Sequence, residues 1–469
     1  MTGPILRLFG VIVVLFLLLI VWTTRWTVID AKSLADNPLN HRALIDALQI
    51  KRGRIQARDG TVLAESVPAA GATFNRRYPT GPKFAQAVGY SDLRTGRIAG
   101  LENQYRDQLR GLQSGFSSVF GQLSGSQRVG DDVHTSLDPK AQQVAINDLA
   151  GRQGSVVALD PRTGSILAMY SNPTYNDNNL ASGSTFDFAL QGQRPPGSTF
   201  KVVTTTAAID SGAYTPNSMI NGDSPKTISG VPLNNDLNQS FGVITLTQAL
   251  TQSVNTVFAQ VAVHLGLTKM TDYMRRFGFY AKPPLDYPSS EMDSSKPYGP
   301  KGPYPPGSRN VDLGRVAIGQ GGLLVTPMQM AMVVAAVANG GQLMKPHFAT
   351  KIVDRDGRTV QTIGPAVYNQ VMKPAVAQEI NQMMRKVVEE GTGQSAQLGA
   401  ISVAGKTGTA SIGATGSNLT EPWFIGFAPA ANPKVAVAVT VAQTQGGFGA
   451  TVAAPIAKDV IQTLLSEGL

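Results

Sequence analysis

One apolar run constrains this chain more than any other feature. From Ile5 to Trp22 only Arg7 is charged, and the core Leu8–Trp22 is almost wholly Leu, Ile, Val and Phe. The run lies near the lower limit of the ~17–25 residues that let a helix cross a bilayer. Trp22 and Trp26 fall where the far interface would be. A cleaved signal peptide is the rival reading. No A-x-A-like site directly follows the run, which favours an uncleaved anchor. Arg7 and the α-amine face Arg25 across the segment, so charge alone leaves the orientation open.

The 469 residues are enough for two or three structural units. Charged residues make up 15%, against roughly 25% in an ordinary soluble domain. The formal charge of +9 suits contact with acidic lipids or wall polymers. The basic residues are scattered and no binding motif accompanies them, which argues against nucleic acid. There is no cysteine, so thiolate nucleophiles, disulfides and zinc–thiolate sites are excluded. His41, His134, His264 and His347 lie far apart and read as structural, with no metal site among them.

The order of segments outlines the architecture. Residues 1–26 form a stub and anchor, and 27–150 form a polar, mixed pedestal module with short strands around Arg58-Asp59-Gly60. The Gly/Ser/Gln-rich stretch Gly111–Gly130 reads as hairpin or loop. From 151 the texture changes. Ser155–Leu159 and Ser165–Tyr170 flank a turn and read as a hairpin. Ser198 onward reads as a buried helix, and Thr245–Leu265 as two helical pieces closed by Gly266. Ala281–Asn310 reads as largely irregular, and Pro327–Ala338 as a helix stopped by Asn339-Gly340-Gly341. Ile401–Thr409, Trp423–Ala428 and Val435–Val441 read as strands, and Ala454–Leu465 as a last amphipathic helix. Two early strands, a helical middle, three late strands and a final helix imply an α+β domain over 151–469, with a mostly antiparallel five-stranded sheet covered by helices.

Three short motifs carry chemistry. In Ser198-Thr199-Phe200-Lys201 the hydroxyl and the amine share one helical face. A serine hydroxyl needs a neighbouring base, and a lysine in an apolar, cation-rich pocket can lose enough basicity to serve. Pro195-Pro196-Gly197 puts Ser198 at a helix start, where free N–H groups favour an oxyanion. Ser253-Val254-Asn255 falls at a break between helical pieces. Its hydroxyl can relay a proton and its amide can hold a peptide carbonyl. Ser308-Arg309-Asn310 has the same pattern, but its Pro/Gly-rich loop offers no rigid support. In Lys406-Thr407-Gly408-Thr409 the lysine and the two hydroxyls can bind a carboxylate, and Gly408 admits a close backbone. Each motif alone is common. Their order, in helix, inter-helix break and strand, is not.

With this triplet the chain resembles a penicillin-binding protein transpeptidase domain over roughly 151–469. Gly319-Gln320-Gly321 with Thr326-Pro327, and Trp423-Phe424-Ile425-Gly426, extend the resemblance. Arg52-Gly53-Arg54-Ile55-Gln56-Ala57-Arg58-Asp59-Gly60 and Gly100-Leu101-Glu102 are similar to class B signatures, and the short linking module is similar to the actinobacterial PbpA type.

The resemblance implies a single-pass protein of the cytoplasmic membrane with its catalytic domain outside. It implies that Ser198 is acylated by a stem peptide with release of D-Ala, with Lys201 as base and Ser253 as relay. Asn255 would hold the donor backbone, and Lys406, Thr407, Gly408 and Thr409 would form the carboxylate-binding strand. An amine of a second stem peptide would then form the cross-link. Stem peptides, lipid-linked precursors, β-lactams and a glycosyltransferase of the wall-synthesis complex are the implied partners, with no metal and no cofactor. A D,D-carboxypeptidase or another β-lactam-hydrolysing acyl-serine enzyme is the alternative. A deacylating glutamate would support it, but Glu291, in Glu291-Met292-Asp293-Ser294-Ser295, lacks the right setting and reads as a loop carboxylate.

Overall fold

The structure is a computed structural model describing residues 2–30, 47–112, 129–412 and 418–468. Most of the loop expected over 111–130 lies outside the described residues, as does His41.

Helix α1, Thr2–Thr24, has 23 residues. At ~1.5 Å per residue it is about 34 Å long, enough for a hydrocarbon core of roughly 30 Å. None of the span Gly3–Thr27 is buried against the rest of the chain. At its far end Trp22 and Trp26 lie 5.8 Å apart, and the Arg25 guanidinium sits 5.3 Å above the Trp22 ring.

The pedestal is built on strands β1 (Ile55–Gln56), β2 (Val62–Pro68), β3 (Phe74–Arg77) and β4 (Asp132–Thr135). The arginine and Gly-Leu-Glu signatures meet here. Glu102 is fully buried between Arg52 and Arg76. Burial pushes its pKa up, but the two guanidinium charges outweigh this and hold it below the ordinary value. A buried carboxylate left without either arginine would be an uncompensated charge, which explains why the two signatures occur together.

Helix α2, Pro139–Leu149, was not apparent in the sequence. It starts on the Asp138 side chain, which accepts from Lys140 N–H and Ala141 N–H, with Pro139 in the first turn. Strands β5 (Gly154–Leu159) and β6 (Ile166–Asn172) form the expected hairpin. After them come helices α3 (Lys201–Asp210), α4 (Leu246–Thr251), α5 (Asn255–Arg276) and α6 (Pro327–Ala338). Gly266, at φ +80°, kinks α5 but does not end it, because the chain resumes helical geometry up to Arg276. Strands β7 (Ala349–Val353) and β8 (Thr359–Thr362) and helix α7 (Pro374–Glu389) lead to the last sheet segment. That segment holds β9 (Ala404–Ser411), β10 (Leu419–Ala428), β11 (Val435–Val441) and the short β12 (Thr444–Gln445), closed by α8 (Ala454–Ser466).

The catalytic sheet runs β9-β10-β11-β5-β6, five antiparallel strands, with β12 added beside β10. Its side chains alternate between two cores, as a pleat requires. Val156, Ala158, Val437 and Val439 face α2 and α8, whereas Val157, Leu159, Ile425 and Ala438 face the interior helices. The pedestal sheet runs β8-β7-β4-β1-β2-β3. Two strands from beyond residue 151 therefore complete it, while α2, from before 151, packs on the catalytic sheet. The chain crosses between the two bodies in both directions.

Candidate active site

Ser198 lies in a one-turn 3-10 segment, Gly197–Phe200, that leads into α3. The helix expected from Ser198 is thus tighter in its first turn and regular from Lys201 onward. Gly197 takes φ +53°, and its N–H donates to Gly319 O at 3.0 Å. The close approach works in both directions, because a Cβ on Gly319 would lie 2.0 Å from Gly197 O. This gives Gly319-Gln320-Gly321 a structural role: it is the floor beneath the Ser198 turn.

Lys201 is wholly buried, with its amine 2.9 Å from Ser198 Oγ. Two other neighbours can only accept from it: Ser253 O at 2.6 Å and Asn255 Oδ1 at 2.7 Å. A neutral amine has two hydrogens and one lone pair. With both hydrogens committed to those carbonyls, the lone pair faces the Ser198 hydroxyl. Burial, and then the charge of Lys406, push the Lys201 pKa well below its ordinary value, with Asp236 opposing.

Ser253 supplies two of these contacts because its backbone is left-handed, φ +60°. A serine seldom adopts this conformation, and surrounding structure must hold it there. Here the chain ends α4 and starts α5 within three residues, and the turn aims both the carbonyl and Oγ of Ser253 inward. Its Oγ lies 3.2 Å from the Lys201 amine and 3.0 Å from the Lys406 amine.

Lys406 is also wholly buried, on β9, and donates to Thr407 O at 3.0 Å. Burial lowers its pKa to about 7. A Cβ on Gly408 would meet Pro196 O at 2.7 Å and Thr199 Cγ2 at 2.9 Å, so only glycine lets β9 lie this close to the Ser198 turn. Thr409 Oγ1 accepts from Gly449 N–H at 3.1 Å.

All eight residues picked out in the sequence therefore gather around the Ser198 turn and β9. Ser308 and Asn310 take no part in these contacts. Glu291 accepts from Gly100 N–H, at 3.0 Å, across the seam with the pedestal. Sequence reasoning missed several supports. Thr392 Oγ1 sits 2.6 Å from Thr407 Oγ1. Asn255 Nδ2 donates to Asn234 O, and Asn235 Oδ1 accepts from Thr256 N–H, both at 3.0 Å. The glycines around Thr392 were the only local signal. Nothing local marks Asn234 or Asn235.

A partly buried serine bonded to one buried lysine, with a second buried lysine bonded to Ser253 beside it, on a turn packed against an antiparallel sheet, fits a penicillin-binding serine acyltransferase. The penicillin binding protein transpeptidase domain matches residues 154–462, and the penicillin binding protein A dimerisation domain matches 52–133. The chain belongs to the penicillin-binding protein transpeptidase family. It is 33% identical to peptidoglycan D,D-transpeptidase PbpA of Mycolicibacterium smegmatis over the full length of both chains. The structure of penicillin-binding protein A from M. tuberculosis, a ceftriaxone acyl-enzyme complex, matches with a TM-score of 0.80 and 30% identity, over 90% of this chain and 100% of that one. A D,D-transpeptidase domain from Eggerthella lenta matches with a TM-score of 0.77 and 31% identity, over 90% and 99%. The resemblance carried by the motifs is borne out, including its PbpA type.

Proposed function

We propose that this protein is a peptidoglycan D,D-transpeptidase held at the cytoplasmic membrane by α1, with its catalytic domain on the outer side. The observation that carries the reading is the Lys201 amine set 2.9 Å from Ser198 Oγ, with Ser253 O and Asn255 Oδ1 at 2.6 and 2.7 Å to take its two hydrogens. Lys201 takes the Ser198 proton as Oγ attacks the penultimate D-Ala carbonyl of a stem peptide. The N–H groups of Ser198 and Thr409 hold the oxyanion. Ser253 passes the proton to the leaving D-Ala amine. Asn255 binds the donor backbone, and Lys406, Thr407 and Thr409 bind the terminal carboxylate.

A β-lactam enters the same path, and its amide bond opens onto Ser198. The pedestal spaces the cleft from the bilayer and offers a surface to a glycosyltransferase of the wall-synthesis complex. Intact-protein mass spectrometry with benzylpenicillin tests the reading. Wild type gains one penicilloyl mass and Ser198→Ala gains none. Equal labelling of the variant would overturn it.

A further inference from the structure

What removes the acyl group from Ser198 depends on the mouth of the cleft, and one segment there is built more firmly than its exposure requires. Residues 234–239 are fastened to the start of α5. Asn255 Nδ2 donates to Asn234 O and Thr256 N–H to Asn235 Oδ1, each at 3.0 Å. Asn235 is buried, and its Nδ2 donates to Gly222 O at 2.9 Å and Gln239 O at 2.8 Å. On this footing the chain turns through Asp236–Asn238, with Leu237 at φ +54° and Asn238 at φ +57°. Two adjacent non-glycine residues in the left-handed region persist only where surrounding structure over-determines them, and such strain gathers at functional sites.

The turn holds Asp236 and Leu237 out from the surface. Leu237 is 87% exposed. Asp236 is exposed too, and its carboxylate makes no hydrogen bond and no ion pair among the described residues. Its footing is the same Asn255 that holds the Lys201 amine. Its negative charge reaches both Lys201 and Lys406, favouring their charged forms.

We propose that Asp236 receives the acceptor of the second half-reaction as a primary ammonium ion of a peptide, with Leu237 as the apolar wall beside the ammonium's alkyl chain; this rests on the transpeptidase reading above. Lys406 carries part of a positive charge near neutral pH, and an amine there arrives as a cation. A carboxylate at the mouth offsets that repulsion and raises the local concentration of ammonium over water. The balance is simple. The bound ammonium releases one proton to solvent, and the free amine attacks the Ser198 ester carbonyl. A C–N bond forms and the C–Oγ bond breaks. The second amine proton travels through Ser253 and Lys201 to Ser198 Oγ, which leaves an amide and a free serine. Asp236 touches the acceptor, and toward acylation it acts only through the field it lends the two lysines.

The experiment uses the full chain in detergent, an N-acyl-D-alanyl thioester as donor, and glycinamide or its hydroxyl analogue glycolamide as acceptor. Product ratios of amide or ester to free acid are read by mass spectrometry. In Asp236→Asn the KM for glycinamide rises about three- to fivefold, the range for one exposed charge pair. Because the Asp236 charge also reaches the two lysines, hydrolysis and acylation by benzylpenicillin are followed in parallel, and the rise in the glycinamide KM exceeds any change in either. Added salt raises the glycinamide KM of wild type more than that of the variant, because only wild type has a charge to screen. Asp236→Glu keeps most of the effect. The proposal is overturned if the glycinamide KM is unchanged, if glycolamide suffers equally, or if acylation falls in step with aminolysis, since Asp236 would then act through the lysines. If wild type makes no amide at all, the transpeptidase reading itself fails.

Discussion

The Lys406 amine lies 3.0 Å from Ser253 Oγ, so the strand proposed to bind the carboxylate and the proposed proton relay share a hydrogen bond. The two lysines thereby pull activity in opposite directions as pH rises. Lys201 must be neutral to accept the Ser198 proton, and its pKa is lowered by burial and by Lys406. Lys406 must be charged to attract a carboxylate, and burial brings its pKa to about 7. The second-order rate of acylation reports the free enzyme. For benzylpenicillin it therefore climbs as Lys201 loses its proton and declines above about 7 as Lys406 loses its own. In Lys406→Gln the rate is lower throughout and the declining limb is gone. A limb that survives in the variant would assign it to another group.

Replacing Lys201 by arginine keeps a long nitrogen-bearing side chain but makes its charge permanent, and so removes the function. A guanidinium stays protonated at any pH a protein tolerates, so it has no lone pair to offer Ser198. Acylation by a fluorescent penicillin falls about 10³-fold, within the range a general base supplies. Thermal unfolding of the variant separates this loss from misfolding. A well-folded Lys201→Arg protein that acylates at the wild-type rate would remove Lys201 from the role of base.

The residues proposed to touch the reacting atoms were legible in the sequence because their chemistry is local. Ser198 and Lys201 are one helical turn apart, Ser253 and Asn255 flank a helix start, and Lys406–Thr409 is one strand. The strand assignments Trp423–Ala428 and Val435–Val441 were legible through their apolar runs, each buried on both faces. What escaped depends on distant segments. Helix Pro139–Leu149 is only weakly apolar, and its place follows from packing against Ala454–Ser466. Strands Ala349–Val353 and Thr359–Thr362 join the pedestal sheet through pairs 349 − 135 = 214 or more residues apart, which no local pattern encodes. Ser253 required a left-handed backbone without a glycine to announce it.

Gly408 carries a prediction that depends only on space. A methyl group there would lie 2.7 Å from Pro196 O and 2.9 Å from Thr199 Cγ2, both in the support of Ser198. Backbone cannot yield as a flexible side chain can, so β9 must move away from the nucleophile. A displacement of ~1 Å at a reacting centre costs on the order of 10²-fold in rate. Gly408→Ala should lose about that much in acylation while keeping a cooperative melt. Acylation within twofold of wild type would show that the strand has more room than this contact allows.

Glu421 gives a prediction about stability. It lies on β10 opposite Ala410, is wholly buried, and stands 3.5 Å from Arg194, four residues before the nucleophile. Burial raises its pKa from 4.5 to about 7, with Arg194 opposing. Between those values the unfolded chain has released the proton while the folded chain still holds it. Stability therefore declines as pH rises from 4.5 to 7 and levels off above. Glutamine cannot titrate, so Glu421→Gln escapes this decline. Its melting temperature relative to wild type should rise by about 2–4 °C between pH 5 and pH 8, measured by differential scanning fluorimetry. An offset that is the same at both pH values would mean that Glu421 titrates as an ordinary surface carboxylate.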